Sequence, residues 1–244
     1  MKILVCISKV PDTTAKISFT DGGKSFNTDG VQFIMNPYDE WYALVRALEL
    51  KEAQGGSVTV VNVGTASNDT IIRKALAIGA DNAVRVNVEP SSSMAVAKQI
   101  AEVAKEYDIV FTGKETINYN SSEIGAMIAE FLEVPFISYA SHMDMNGNTA
   151  TLTRDIEGGH EVVEVQTPFV LSAAKGLAEQ RIPNMRGIMM AKRKPLKVVE
   201  GVDFQDAAVP VEYNLPDEKG GTTFIDPDNM SELVRLLHEE AKVI

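Results

Sequence analysis

Five short apolar runs, each separated from the next by a stretch of helical periodicity, constrain this chain more than any other feature. They are Ile3–Ile7, Ser57–Val63, Ala83–Val88, Asp108–Thr112 and Pro135–Ala140. Runs of this length bounded by Gly, Pro or Asp read as buried strands, and apolar residues recurring at i, i+3 and i+4 read as helices. Parallel strands need crossover helices, so regular alternation calls for an α/β fold with a doubly wound, mostly parallel sheet. The 244 residues hold one such domain plus an appendage.

In open sheets of this kind ligands bind at the carboxyl edge of the strands. The stretch that best fits such an edge is Gly113 to Met127: a polar loop after the strand Asp108–Thr112, then a helix with Ile124, Met127, Ile128, Phe131 and Leu132 on one face. Asn120 suits an N-cap and Glu123 completes a capping box. Free N–H groups and the positive dipole end then point into the loop, where Ser121 and Ser122 add hydroxyls, and the result resembles a phosphate site. An ordinary well-capped loop fits the same residues. A second edge loop follows Met35, where Asn36 caps, Pro37 takes the first helical position, and Asp39 and Glu40 fill the first turn of a helix running to about Gln54. Two acids repel a phosphate, so this turn suits the base or ribose of a nucleotide, or is plain capping. Cys6 near the end of the first strand reads as a small buried hydrophobe.

Elsewhere the pattern changes. Lys16–Phe19 and Phe26–Met35 look strand-like around the turn Asp21-Gly22-Gly23, and Asn146-Gly147 opens an antiparallel excursion through Thr149–Ile156 and Glu161–Gln166. Pro168–Ala173 is one more apolar strand. The segment Arg181 to Lys194 is basic and Met-rich, either a partner surface or a solvated helix packing its methionines on the core. From Lys197 to about Pro227 the chain is rich in Pro, Asp and Gly, and Ser231 caps a final amphipathic helix with Leu233, Val234, Leu236 and Leu237 on one face. The expected division is an α/β domain over residues 1–195 and an arm over 196–244 that docks on another subunit or folds back.

Net charge is −11, and from Glu200 onward 11 acids face 3 bases. That balance argues against nucleic acid as a partner. No apolar run approaches the ~20 residues of a membrane helix. A single cysteine and the absence of a signal-type N-terminus suggest the cytoplasm. The three histidines, His142, His160 and His238, lack ligand spacing, and no Gly-rich phosphate-loop fingerprint or nucleophile set is present. Such a chain reads as a binding or carrier subunit with no catalytic set of its own.

Five segments, in order, resemble the beta subunit of the electron transfer flavoproteins: Ile3–Val10; Met35-Asn36-Pro37-Tyr38-Asp39-Glu40; Ala75–Asp81; Gly113 through Gly125; and Arg181–Lys194, similar to the family's Arg-Tyr-x-x-Leu-x-x-Ile-Met-x-Ala-Lys-Lys-Lys. The resemblance runs along nearly the whole chain and is weakest after Glu200. It implies a Rossmann-like, adenine-nucleotide-binding fold and a heterodimer with an alpha subunit. That subunit carries most of an FAD that shuttles electrons from dehydrogenases to a downstream acceptor. The beta subunit holds a structural AMP, or a second FAD in the electron-bifurcating branch. Carried over, the nucleotide contacts are Cys6, Asn36, Pro37, Tyr38, Asp39, Val63, Gly113, Lys114, Glu115, Thr116, Ile117, Asn118, Tyr119, Asn120, Ser121, Ser122, Glu123 and Ile124. Partner recognition maps to Arg181, Ile182, Pro183, Met185, Arg186, Ile188 and Met189, within a segment ending at Met190, with Met185 in place of the family's leucine anchor. Two departures stand out. The acids that commonly follow the loop isoleucine are replaced by Asn118-Tyr119-Asn120, and the bifurcating branch's Gly-Asp-Thr run is absent. A free-standing nucleotide-binding module of the stress-protein type is the rival from another class. It leaves the arm and the Met-rich segment unexplained.

Overall fold

A computed structural model describes residues 1–244 apart from Ala207, Val209 and Lys219. It forms two compact units, Met1–Ile17 with Asn27–Val211, and Ser18–Phe26 with Glu212–Ile244.

In the large unit the strands are β1 (Lys2–Cys6) and β2 (Lys9–Pro11); β3 (Phe19–Thr20) and β4 (Ser25–Phe26) belong to the small unit, and β5 (Phe33–Met35) returns to the large one. Then come α1 (Asp39–Gln54), β6 (Ser57–Val63), α2 (Asp69–Ile78), β7 (Asn82–Asn87), α3 (Ser93–Ala104), β8 (Ile109–Gly113) and α4 (Ile124–Leu132). The chain continues through β9 (Phe136–Asn146), β10 (Thr149–Ile156), β11 (Gly159–Gln166), β12 (Phe169–Ala173), α5 (Met185–Ala191) and β13 (Leu196–Glu200), and α6 (Met230–Arg235) lies in the small unit. Phe26–Met35 is not one strand: only its two ends pair, Phe26 with Phe19 and Phe33–Met35 with Lys9–Pro11.

The main sheet has nine strands in the order β11-β10-β9-β12-β8-β1-β6-β7-β13. From β12 to β13 every pairing is parallel. β9 is parallel to β12 on one side and antiparallel to β10 on the other, so the antiparallel excursion extends the sheet instead of leaving it. The alternation of side chains along β1 builds two cores. Ile3 and Val5 join Leu44, Leu48, Ile72 and Leu76 beneath α1 and α2. Leu4 and Cys6 join Ile100 and Ile128 beneath α3 and α4. Each aliphatic side chain fully buried in this way contributes roughly 1.5–3 kcal/mol, which is why the runs are apolar on both faces. β13 opens the stretch read from the sequence as the arm, yet it lies in the large unit and pairs with β7.

In the small unit Phe19 stacks on Tyr213 at 5.2 Å between ring centroids, and the Tyr213 amide donates to the Gly23 carbonyl at 2.7 Å. α6 is capped by Asn229, whose side chain accepts from the Glu232 amide, and not by Ser231.

Candidate functional site

Register brings the carboxyl ends of the central strands to one edge: Cys6 pairs with Val61, Val5 with Phe111, and Gly113 with Ala173. At that edge lies a hollow of about 250 Å³ lined by Pro37, Tyr38, Asp39, Tyr42, Lys114, Glu115, Ile117 and Lys175.

Asn36 builds this edge. Its side chain is fully buried. The amide Nδ2 donates to the Glu115 carbonyl at 3.0 Å, and Oδ1 accepts from the Ile117 amide at 3.0 Å. Its own backbone N–H donates to the Ser8 carbonyl at 3.0 Å. One residue thus ties the loops after β1, β5 and β8 together, and so it does not cap α1. That helix begins at Asp39, behind Tyr38 at φ 63°, with no side-chain cap. Pro37 therefore lies ahead of the helix and not in its first turn.

The capping box expected at Asn120 and Glu123 does not form either. Asn120 and Ser122 occupy the left-handed region, at φ 52° and 56°, whereas an N-cap needs extended backbone. α4 therefore starts at Ile124, and the Glu123 side chain makes no capping bond. Two non-glycine residues in this region store strain that a loop keeps only when its surroundings fix it. The first-turn N–H groups of α4 receive no side-chain acceptor from the N-cap position.

Glu40, read from sequence as a first-turn acid, is buried. It accepts the Ser8 amide at 2.7 Å and also bonds the Ser8 hydroxyl. A Cβ on Gly113 would come within 2.9 Å of its Cγ, so glycine lets β8 end against α1. Burial raises the Glu40 carboxyl to about 8 against the two Ser8 bonds, and the Asp39 charge adds to the rise. Asp39 is also raised, chiefly by burial, with Lys114 acting against it. Burial works against the Glu115 carboxylate too, yet Lys114 at 3.1 Å, Ser122 and Asn120 hold its pKa below the usual range. The Lys114 ammonium is raised first by its bond to Glu115. The loop's first carboxylate is therefore tied to a lysine inside the loop, and Lys175 supplies a further cation beside the hollow.

The other carried-over positions fall in different places. Cys6 is buried at the end of β1, its thiol pushed well up by burial and then by the Glu40 charge, so no thiolate is available there. Val63 lines a separate hollow of about 200 Å³, with Val88, Gln99, Val202 and Phe204. Thr116, Asn118 and Ser121 lie along the loop, and Tyr119 is exposed. Tyr42 and Lys175 were not anticipated. Tyr42 sits one helical turn after Tyr38, and Lys175 two residues beyond the strand that pairs with β8, so both were derivable from periodicity and register.

The Met-rich segment is arranged unlike a helix packing its methionines inward. Ile182, Met185 and Met189 are 84%, 74% and 68% exposed. Ile188 and Met190 are exposed with them, Arg186 faces solvent and Pro183 is half-buried. The Arg181 guanidinium pairs with Glu52 at 2.6 and 3.1 Å, and the Trp41 indole N–H donates to the Arg181 carbonyl at 3.2 Å.

The sheet, its helix layers and a hollow at the carboxyl edge define a doubly wound α/β protein with a mostly parallel central sheet. A family model described as the electron transfer flavoprotein domain matches residues 24–203. The chain is 35% identical to the electron transfer flavoprotein subunit beta of Bacillus subtilis over the whole of both chains. It is 36% identical to that of Clostridium acetobutylicum, over 81% of this chain and 78% of that one. It is 31% identical to that of Homo sapiens, over 100% and 99%. The chain belongs to the electron transfer flavoprotein family, among its beta subunits. No helix among the described residues is long and apolar enough to cross a membrane.

Proposed function

We propose that this chain is the beta half of a heterodimeric electron transfer flavoprotein, that it holds AMP as a structural nucleotide, and that it presents a docking segment to dehydrogenases. FAD, held mainly by the alpha subunit, supplies the electron-carrying chemistry. The observation that carries the reading is the three-loop knot at Asn36, beside which Pro37, Tyr38, Asp39, Lys114, Glu115 and Ile117, all among the resemblance-derived positions, line one hollow.

The residues fit a nucleotide by their chemistry. Lys114 and Lys175 offer cations at the hollow; further along the loop Ser121 carries a hydroxyl, the Ser122 hydroxyl bonds Glu115, and α4 has an N-terminus without a side-chain cap. Such a terminus favours an anion. Pro37, Tyr38 and Tyr42 offer flat or apolar surface for a base. The chain's contribution is binding and orientation: it fixes the loops, excludes water from the nucleotide and supplies the surface on which the flavin-bearing partner and the electron donors assemble.

The test is nucleotide release. The chain is co-expressed with its alpha subunit, the complex is purified and denatured, and the released nucleotides are identified and counted. One FAD and one AMP per heterodimer is the expected result. Two FAD and no AMP would replace the carrier reading with a bifurcating one. A lone chain carrying ATP or AMP with no co-purifying partner would sink both.

A further inference from the structure

Helix α5 carries the exposed methionines but has only seven residues, MRGIMMA. A helix this short does not hold itself together in water. Its apolar side chains do not anchor it, because they face outward; Ala191 alone is buried. What holds it is an exchange of cations between helix ends. Arg73 on α2 reaches the carbonyls of Ala191, the last residue of α5, and of Lys194 just beyond it, at 2.8 and 2.6 Å. In return the Lys194 ammonium reaches the carbonyls of Leu76 and Ala80, at 2.9 and 2.6 Å, at the end of α2. Each cation satisfies carbonyls that a helix terminus leaves without partners and sits at the negative end of the other helix. Gly187 permits the contact: a Cβ there would fall 2.4 Å from the Ala77 carbonyl oxygen. At the front of α5, Asn184 accepts the Gly187 amide at 2.8 Å.

We propose that Arg73 and Lys194 are positioning residues for partner docking: by capping each other's helices they hold α5 folded before any partner arrives, so that Met185 and Met189 are presented ready to dock. The proposal rests on the docking reading above. Neither cation lies on the exposed patch. Arg73 acts through the carbonyls of Ala191 and Lys194, and Lys194 through those of Leu76 and Ala80, so both charged groups are spent on backbone rather than left for a partner. A surface whose docking-competent state is fully populated binds at its intrinsic affinity, and one that must fold first is weakened by the fraction folded.

The test uses the heterodimer carrying Arg73→Ala, Arg73→Lys or Met185→Ala, with a dehydrogenase that reduces the parent heterodimer as electron donor. Hydrogen exchange of residues 184–194 is measured beside steady-state transfer. Arg73→Ala is expected to raise the KM for the dehydrogenase roughly tenfold, to leave kcat within about twofold, and to strip protection from α5 alone, while the flavin spectrum is unchanged. Arg73→Lys, which keeps a donor, is expected to recover most of the protection and of the KM. Unchanged protection and KM in Arg73→Ala would overturn the proposal. So would a fall in kcat together with loss of protection across the whole sheet, because Arg73 would then be part of the general framework. Met185→Ala separates the two ideas. If it leaves KM unchanged, the docking reading fails. If it raises KM while Arg73→Ala does not, the positioning idea alone fails.

Discussion

The edge around Asn36 and the segment from Arg181 to Lys194 are both irregular stretches beside the same sheet, and they are stabilised in opposite ways. The edge is knotted from inside: Asn36 and Glu40 are buried and spend their polar groups on loop backbones. The segment is strapped from outside: Arg73 and Trp41 hold its carbonyls, Glu52 pairs with its Arg181 and its Lys194 grips the end of α2, while its largest apolar side chains stay in solvent. A pocket needs walls that cannot shift, and buried hydrogen bonds supply that. A docking surface needs free apolar area on a fixed backbone, and cations bound to carbonyls supply that without covering the patch.

The comparison can be broken first at Asn36. Asn36→Ala removes two buried side-chain hydrogen bonds and leaves loop groups without partners, for a loss of roughly 2–4 kcal/mol. Thermal unfolding of the heterodimer should show it, with bound nucleotide lost below the unfolding temperature. A variant that melts normally and keeps its nucleotide would mean that the three loops are held by something else. The second test concerns Glu40. Its folded pKa, about 8, lies above the unfolded value near 4.5. Its contribution is then fully present below about pH 4.5 and is lost as pH rises through about 8, a change on the order of a few kcal/mol. Stability against pH should therefore be flatter over that window in Glu40→Gln than in the parent chain. Parallel curves would show that Glu40 is ionised in the folded protein. The smallest stability effect belongs to Met185→Ala, within about 0.5 kcal/mol because the side chain is exposed, although transfer from the donor slows. A melting point several degrees lower would place Met185 in the core and erase the contrast between the two regions.

Strand and helix positions were legible because burial on both faces of a sheet leaves continuous apolar runs such as Ile3–Ile7 and Ser57–Val63. The caps expected at two helix starts were not. Asn36 and Asn120 have the right chemistry for caps, but one spends its side chain on another loop and the other takes left-handed backbone. Both outcomes depend on neighbours far away in sequence. Glu40 shows the same limit: an acid at a helix start reads as dipole chemistry, and only the packed fold puts Ser8 and Gly113 against it. β9 hid its double role because its first half pairs in parallel and its second half in a hairpin, a change of partner with no change of composition. The outward methionines were left open by the sequence, since the same spacing serves a core face or a docking face.

The place of β13 has a consequence for how the chain is made. β13 follows α5 directly and pairs with β7, which was synthesised far earlier, Leu196 lying beside Ala83. Until residues 196–200 leave the ribosome, β7 is a bare edge carrying Val84 and Val86, open to pairing with any other chain. The Met-rich segment lies between β12 near the middle of the sheet and β13 at its border. The strand that seals the border is thus also the far anchor of the Met-rich segment, and a nascent or truncated chain that lacks it lacks both its guard against misassembly and its finished surface.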